Sequence, residues 1–156
     1  MTPGDGTGPR IWVDADACPV PIREMIVRAA ERTRIPTTFV ANQWLRLSAP
    51  AWVRALQVPG GPDSADAEIV AQVAEGDLVV TQDIPLAALV LDKGAQAINP
   101  RGERFTIDSI GERLSMRGFL EELRGAGVHT GGAAPFHARD RQAFANELDR
   151  WIARRR

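Results

Sequence analysis

Ile11-Trp12-Val13-Asp14-Ala15-Asp16 and Leu78-Val79-Val80-Thr81-Gln82-Asp83 decide how this chain is read. Each is a short apolar run that ends in a carboxylate. An open α/β sheet presents acids at the carboxyl edge of its strands in this way. Between the two runs, Asp63 and Asp66 open a segment with helical spacing. Acids gathered on one edge repel one another, so a divalent cation is their natural counter-charge. The pattern predicts a small metal-dependent hydrolase.

Working outward, Ile11 to Ala15 reads as the first strand, apolar enough to be central in a parallel sheet. Pro19 and Pro21 start a helix whose buried face is Ile22, Met25, Ile26, Ala29 and Ala30, and Pro36 ends the element. Thr37 to Ala41 is β-branched and aromatic enough for a second strand. Asn42 to Pro50 reads as a surface loop or short turn, packed by Trp44. Val53 to Val58 makes a third strand, with a helical turn as the alternative. Pro59-Gly60-Gly61-Pro62 breaks the chain before a helix from about Ser64 to Ala74.

The next strand is Leu78 to Thr81. Asp83 caps a helix whose face is Leu86, Leu89 and Val90, ended by Gly94. Ala95 to Ile98 is a fifth strand, and Glu103 to Ile107 returns after the Asn99-Pro100-Arg101-Gly102 turn as an edge hairpin. Asp108 is expected to cap a helix through about Leu123, weakened near Gly118. The glycine-rich Gly125 to Ala134 reads as a loop. A last helix from about Ala138 sets Phe144, Leu148, Trp151 and Ile152 on one face. The expectation is a single α/β, three-layer, Rossmann-like domain over residues 11–153 with a mainly parallel sheet. Residues 1–10 are expected to be a flexible tail and 154–156 a frayed basic end.

The chain has 156 residues, 44% of them hydrophobic, enough for one sizeable core. Its apolar runs are too short to cross a membrane, and Cys18 is the sole cysteine, so no internal disulfide forms. These features point to the cytoplasm. The net charge is only -1, yet the signs are segregated. Six arginines and two acids occupy positions 23–54, seven acids and no base occupy 63–92, and six arginines against three acids close the chain. An acidic centre between arginine-rich flanks suits a metal site in phosphate-binding surroundings.

The candidate metal ligands are Asp14, Asp16, Asp63, Asp66 and Asp83, with Asp14, Asp66 and Asp83 in the catalytic role. All are oxygen donors, which suit Mg²⁺ or Mn²⁺ better than zinc. Each has a plainer reading. Asp16, Asp63 and Asp83 can cap helices, a role worth about 0.5–2 kcal/mol, and Asp66 can sit at the positive end of its helix. Asp14 is hardest to explain as a cap. Candidate substrate-binding residues are Thr81, Gln82, Asn42, Arg23, Arg139 and Arg141. The plainer readings are a strand hydroxyl, a loop amide, a turn residue, a solvated helix face and, for the last two, pairing with Asp140. Cys18 reads as a buried small side chain rather than a nucleophile, and His129 as a loop residue.

The same residues carry a family resemblance. Asp14-Ala15-Asp16-Ala17-Cys18-Pro19-Val20, Gly61-Pro62-Asp63-Ser64-Ala65-Asp66 and Thr81-Gln82-Asp83-Ile84-Pro85-Leu86-Ala87 look like the signatures of the YaiI/YqxD family, also called UPF0178 or DUF188. Gly131 to Phe136 and Asp140 to Phe144 continue the likeness. That family resembles the wider PIN-like nuclease group, whose strand-end and helix acids bind Mg²⁺ or Mn²⁺ for RNA cleavage. The resemblance implies a PIN-like fold, with Asp14 as the acid after the first strand and Asp83 as the later one beside Thr81. Asp66 is the middle acid, with Asp63 as second choice. Two departures stand out: the middle acid is aspartate where the group often has glutamate, and Asp16 is an added carboxylate. The function expected is a metal-dependent ribonuclease or nucleic-acid phosphodiesterase. A small-molecule phosphohydrolase and a non-catalytic RNA-binding or regulatory protein are the alternatives.

Overall fold

The computed structural model describes residues 8–47, 49–61, 64–125 and 136–155. Asp63, His129 and the glycine-rich stretch 126–135 lie outside them. Six strands form one sheet: β1 (Ile11–Asp14), β2 (Thr37–Ala41), β3 (Val53–Gln57), β4 (Leu78–Val80), β5 (Gln96–Ile98) and β6 (Arg104–Phe105). Their order is β3-β2-β1-β4-β5-β6. All neighbours pair in parallel except the two-residue edge strand β6, which returns antiparallel to β5.

Period-two side chains on strands buried from both sides divide the core into two halves. Ile11, Val13, Phe39, Leu78 and Val80 face α1 (Val20–Thr33) and α5 (Ala138–Arg154), which contribute Ile22, Ile26, Phe144, Leu148 and Trp151. Trp12, Val40, Val79 and Ala97 face the opposite way. There they meet Ile69 of α2 (Ser64–Gln72), Leu86 and Val90 of α3 (Ile84–Asp92), and Ile110 of α4 (Ile107–Gly125). The result is a three-layer, Rossmann-like α/β fold.

The strand order places the site. From β1 the chain crosses through α1 to β2 and on to β3, then returns through α2 to β4 and continues outward to β5. Sequential strands therefore leave β1 and β4 in opposite directions. The crevice between their carboxyl ends is the switch point where ligands of such sheets bind.

Several local expectations need correction. Strand β1 stops at Asp14, and Ala15–Ala17 form a single 3-10 turn. The third strand stops at Gln57, α2 stops at Gln72, and β4 ends at Val80. Asp108 does not cap α4. That helix begins at Ile107, and Thr106 Oγ1 accepts from the Ser109 amide at 3.1 Å, the geometry of an N-cap. Gly118 does not interrupt α4, and a Cβ there would meet nothing within 4 Å. Gly102 is different. It has φ +84°, and a Cβ there would lie 2.4 Å from the Ala143 carbonyl carbon, so a glycine lets the 99–102 turn press onto α5.

At the amino rim of the sheet, Asp77 is 2% exposed and fully engaged. It accepts from the Arg10 amide, the Trp12 indole and the Ala74 amide, each at 2.9 Å. Arg10 also stacks over Trp12, 4.9 Å from the ring centroid. Arg155 Nε donates to the Pro9 carbonyl at 2.6 Å, and the Trp151 indole to the Gly76 carbonyl. Helix α5 thus runs down to the amino rim from a start at the carboxyl rim, where Asp140 pairs with Arg101 at 3.0 Å. Among the described residues no helix is long and apolar enough to cross a membrane.

Candidate functional site

The switch crevice is built from the two segments that follow β1 and β4. Asp14 is the last residue of β1, so its backbone is fixed by the sheet while its side chain leaves the rim. Thr81, 1% exposed, follows β4 and links the two sides. Its hydroxyl donates to Asp14 Oδ2 at 2.8 Å and accepts from the Asp83 amide at 2.9 Å. Gln82 Nε2 reaches across to the Ala17 carbonyl at 2.7 Å. The segments after β1 and β4 are therefore tied by side chains as well as by the β1–β4 pairing.

Asp14 carries the main electrostatic anomaly. Burial pushes its carboxyl above the ordinary carboxylate value, the Thr81 hydrogen bond pulls it partly back, and the charges of Asp83 and then Asp16 push it further up. No arginine or lysine is among the groups acting on it. Asp83 Oδ1 accepts from the Leu86 amide at 2.9 Å, so the capping expected of Asp83 is present. Asp83 Oδ2 has no hydrogen bond among the described residues.

Asp16 is exposed and does not cap α1, whose N-cap residue is Pro19. Both its oxygens face the Asn42 amide, at 2.9 and 3.2 Å. Asn42, just past β2, also donates from Nδ2 to the Gly61 carbonyl at 3.3 Å. That bond brings the approach to α2 onto the same rim. Asp66, half-buried in the first turn of α2, therefore belongs to this edge of the sheet. Asp63 is outside the described residues. Among the described residues, no three His, Cys, Asp or Glu side chains converge closely enough to hold an ion.

Cys18 is 7% exposed, and its thiol is pushed up to about 12, chiefly by burial, with Arg23 opposing and Asp14 adding to the rise. A thiol so hard to ionise is no nucleophile, in keeping with the sequence reading.

The expected substrate-binding residues divide into two groups. Thr81, Gln82, Asn42 and Arg23 surround the β1 end of the crevice. Asp16, Cys18, Arg23 and Asn42 line a hollow of about 370 Å³ there. Arg139 and Arg141 lie elsewhere on the rim, exposed at the start of α5 beside the turn after β5. Neither takes Asp140, whose partners are Arg101 and the His137 amide.

Two features escaped the sequence reading. Trp44 does not pack its loop: it is 66% exposed, with the Arg46 guanidinium 5.7 Å from its ring centroid. Asp77 went unnoticed among the acids of positions 63–92. The signal was present, because a Trp12 buried in a central strand needs an acceptor for its indole N–H.

The fold and crevice define a Rossmann-like α/β protein with its carboxylates at the switch point. Over residues 12–154 the chain matches the family described as Uncharacterized BCR, YaiI/YqxD family, and it belongs to that family. It is 69% identical over 145 residues to a UPF0178 protein of Xanthomonas campestris pv. campestris, covering 93% of this chain and 91% of the relative. To a UPF0178 protein of Xanthomonas oryzae pv. oryzae it is 64% identical over 144 residues, covering 92% and 89%. To one of Dechloromonas aromatica it is 61% identical over 145 residues, covering 93% and 97%. No solved structure matches the chain.

Proposed function

We propose that the protein is a divalent-cation-dependent phosphodiesterase acting on nucleic acid, with RNA as the first substrate to test. The observation that carries this reading is the state of Asp14. It is a strand-end carboxyl at the switch crevice, destabilised by burial and by two neighbouring acids, with the Thr81 hydroxyl as its hydrogen-bond partner. Like charges gathered around a partly buried carboxyl cost stability unless something positive offsets them. The sequence resemblance to the PIN-like nuclease group points the same way.

The donor set fits Mg²⁺ or Mn²⁺. Such an ion commonly takes only one or two protein carboxylates, completing its shell with water and substrate phosphate. Asp14 and Asp83, joined through Thr81, meet that requirement without a third converging acid. When bound, the cation would offset charge on the scissile phosphate and on the leaving oxygen. The chain's own residues would do the positioning. Thr81 fixes one oxygen of Asp14 and leaves the other for the crevice. Leu86 fixes one oxygen of Asp83 in the same way. Asn42 holds Asp16 at the mouth, and Asp66 stands in the first turn of α2 on the same edge of the sheet.

The test is Mn²⁺ titration by calorimetry and thermal shift, together with a cleavage screen on RNA and DNA oligonucleotides. Wild type is expected to bind Mn²⁺ and cleave RNA, while Asp14→Asn and Asp83→Asn stay folded and lose about a hundredfold or more in rate. Full cleavage by Asp14→Asn overturns the assignment. RNA binding with neither Mn²⁺ uptake nor cleavage replaces it with the non-catalytic reading.

A further inference from the structure

An arginine-lined cleft lies directly beside the crevice. Val20, Arg23, Glu24, Val27, Arg28, Arg46 and Leu47 enclose about 380 Å³ between α1 and the loop after β2. Arg23 belongs to this cleft and also to the hollow that holds Asp16 and Asn42. The two spaces therefore meet at Arg23, and Asp16 is close enough to Asp14 to raise its pKa. Arg23 thus links the cleft of Arg28 and Arg46 to the hollow that holds Asp16, the acid beside Asp14. Trp44, exposed, is joined to the cleft through Arg46, whose guanidinium lies 5.7 Å from its ring centroid.

The composition of this cleft is informative. Three arginines against Glu24 give it positive character, and Val20, Val27 and Leu47 give it an apolar floor. Val20 is itself 51% exposed. Folding does not account for leaving a tryptophan this open, since the chain's other indoles are used: Trp12 and Trp151 are buried, and Trp52 donates to the Ala30 carbonyl at 2.7 Å. In the inner hollow, Arg23 Nε and Asn42 Oδ1 are covered from solvent yet lack hydrogen-bond partners among the described residues. One donor and one acceptor on the same wall thus have unmet capacity, which a small side-chain shift would offer to a ligand carrying both kinds of group. A single strand of nucleic acid matches every part of this description. It has phosphates for the arginines, base faces for the indole, and base edges or a 2′-hydroxyl for the inner wall. A duplex does not match, because its bases are already stacked.

We propose that this cleft is the approach track for single-stranded nucleic acid, with Trp44 as the base-stacking platform and Arg46, Arg28 and Arg23 following the backbone toward Asp14. The assignment deepens the phosphodiesterase reading and rests on it for the direction of the strand, but binding in the cleft can be measured without catalysis.

The experiment measures anisotropy of a fluorescein-labelled oligo-U, an oligo-dT of the same length and a duplex, with wild-type protein in EDTA. Wild type is expected to bind both single strands more tightly than the duplex, and the ratio of oligo-U to oligo-dT affinity reports whether the 2′-hydroxyl is read. Trp44→Ala should weaken single-strand binding about five- to a hundredfold and Trp44→Phe much less, because stacking on any aromatic face persists. Arg46→Ala should lower the slope of log affinity against log salt by about 0.7, one phosphate contact. Because Trp44 and Arg46 are exposed, both variants should melt with wild type. Equal binding by wild type, Trp44→Ala and Arg46→Ala overturns the track, whatever the cleavage screen shows. Trp44-dependent binding without cleavage upholds the track and overturns only the catalytic reading.

Discussion

Two aspartates sit at opposite rims of one sheet and are treated in opposite ways. Asp77, at the amino rim, accepts from two backbone amides and the Trp12 indole, with Arg10 3.6 Å away. Asp14, at the carboxyl rim, receives the Thr81 hydroxyl and faces two further carboxylates. Asp77 is fully buried with donors on both oxygens, whereas Asp14 is partly buried with one hydrogen bond and two like charges beside it. A buried charge that the fold fully satisfies serves the fold, and one left in deficit is available to a ligand.

If that contrast is right, Asp77→Ala is the most damaging of the substitutions considered. It leaves the Trp12 indole and two amides unpaired in the interior, and a loss of about 3–5 kcal/mol is expected by urea denaturation. A loss below about 1 kcal/mol would place both aspartates in the same category. Thr81→Val comes next. It removes the hydroxyl that serves both Asp14 and the Asp83 amide, for an expected loss of about 1–3 kcal/mol. Thr81→Ser should recover most of it.

Asp14→Asn should have the smallest effect and the opposite sign. The folded-state pKa of Asp14 lies above its ordinary value of 3.8, so the native state holds that proton longer than the unfolded chain. Stability therefore falls as pH rises from 3.8 through the folded-state pKa. In EDTA at neutral pH the Asn variant should melt above wild type, and the difference should vanish below 3.8. Mn²⁺ should then raise the melting temperature of wild type but not of the variant. A variant that melts lower than wild type at neutral pH in EDTA would show that the Asp14 charge is satisfied after all.

Much of this was legible in the sequence because it depends on local pattern. The β-branched run Thr37–Ala41 and the apolar Leu78–Val80 declare parallel core strands, and an acid ending β1 and another three residues after β4 declare the rim. Pro19 and Pro21, and Asp83 before Ile84-Pro85, mark helix starts through backbone chemistry that acts within four residues. What stayed hidden depends on contacts between distant segments. Thr106 and Asp108 are equally good caps on paper, and only where α4 starts separates them. The engagement of Asp16 by Asn42, 26 positions away, follows from the β1–β2 register. The openness of Trp44 follows from how little of the fold covers the loop after β2. The helix at Ser64 was expected, but Asp63, the second-choice middle acid, lies outside the described residues.

The meeting of Pro9 and Arg155 has a practical consequence. Pro9 and Arg155 both lie at the pole opposite Asp14, so a surface tether attached through either residue would hold the protein with its crevice turned toward the bulk solution. Protein immobilised through either residue should therefore capture oligonucleotides as well as free protein does.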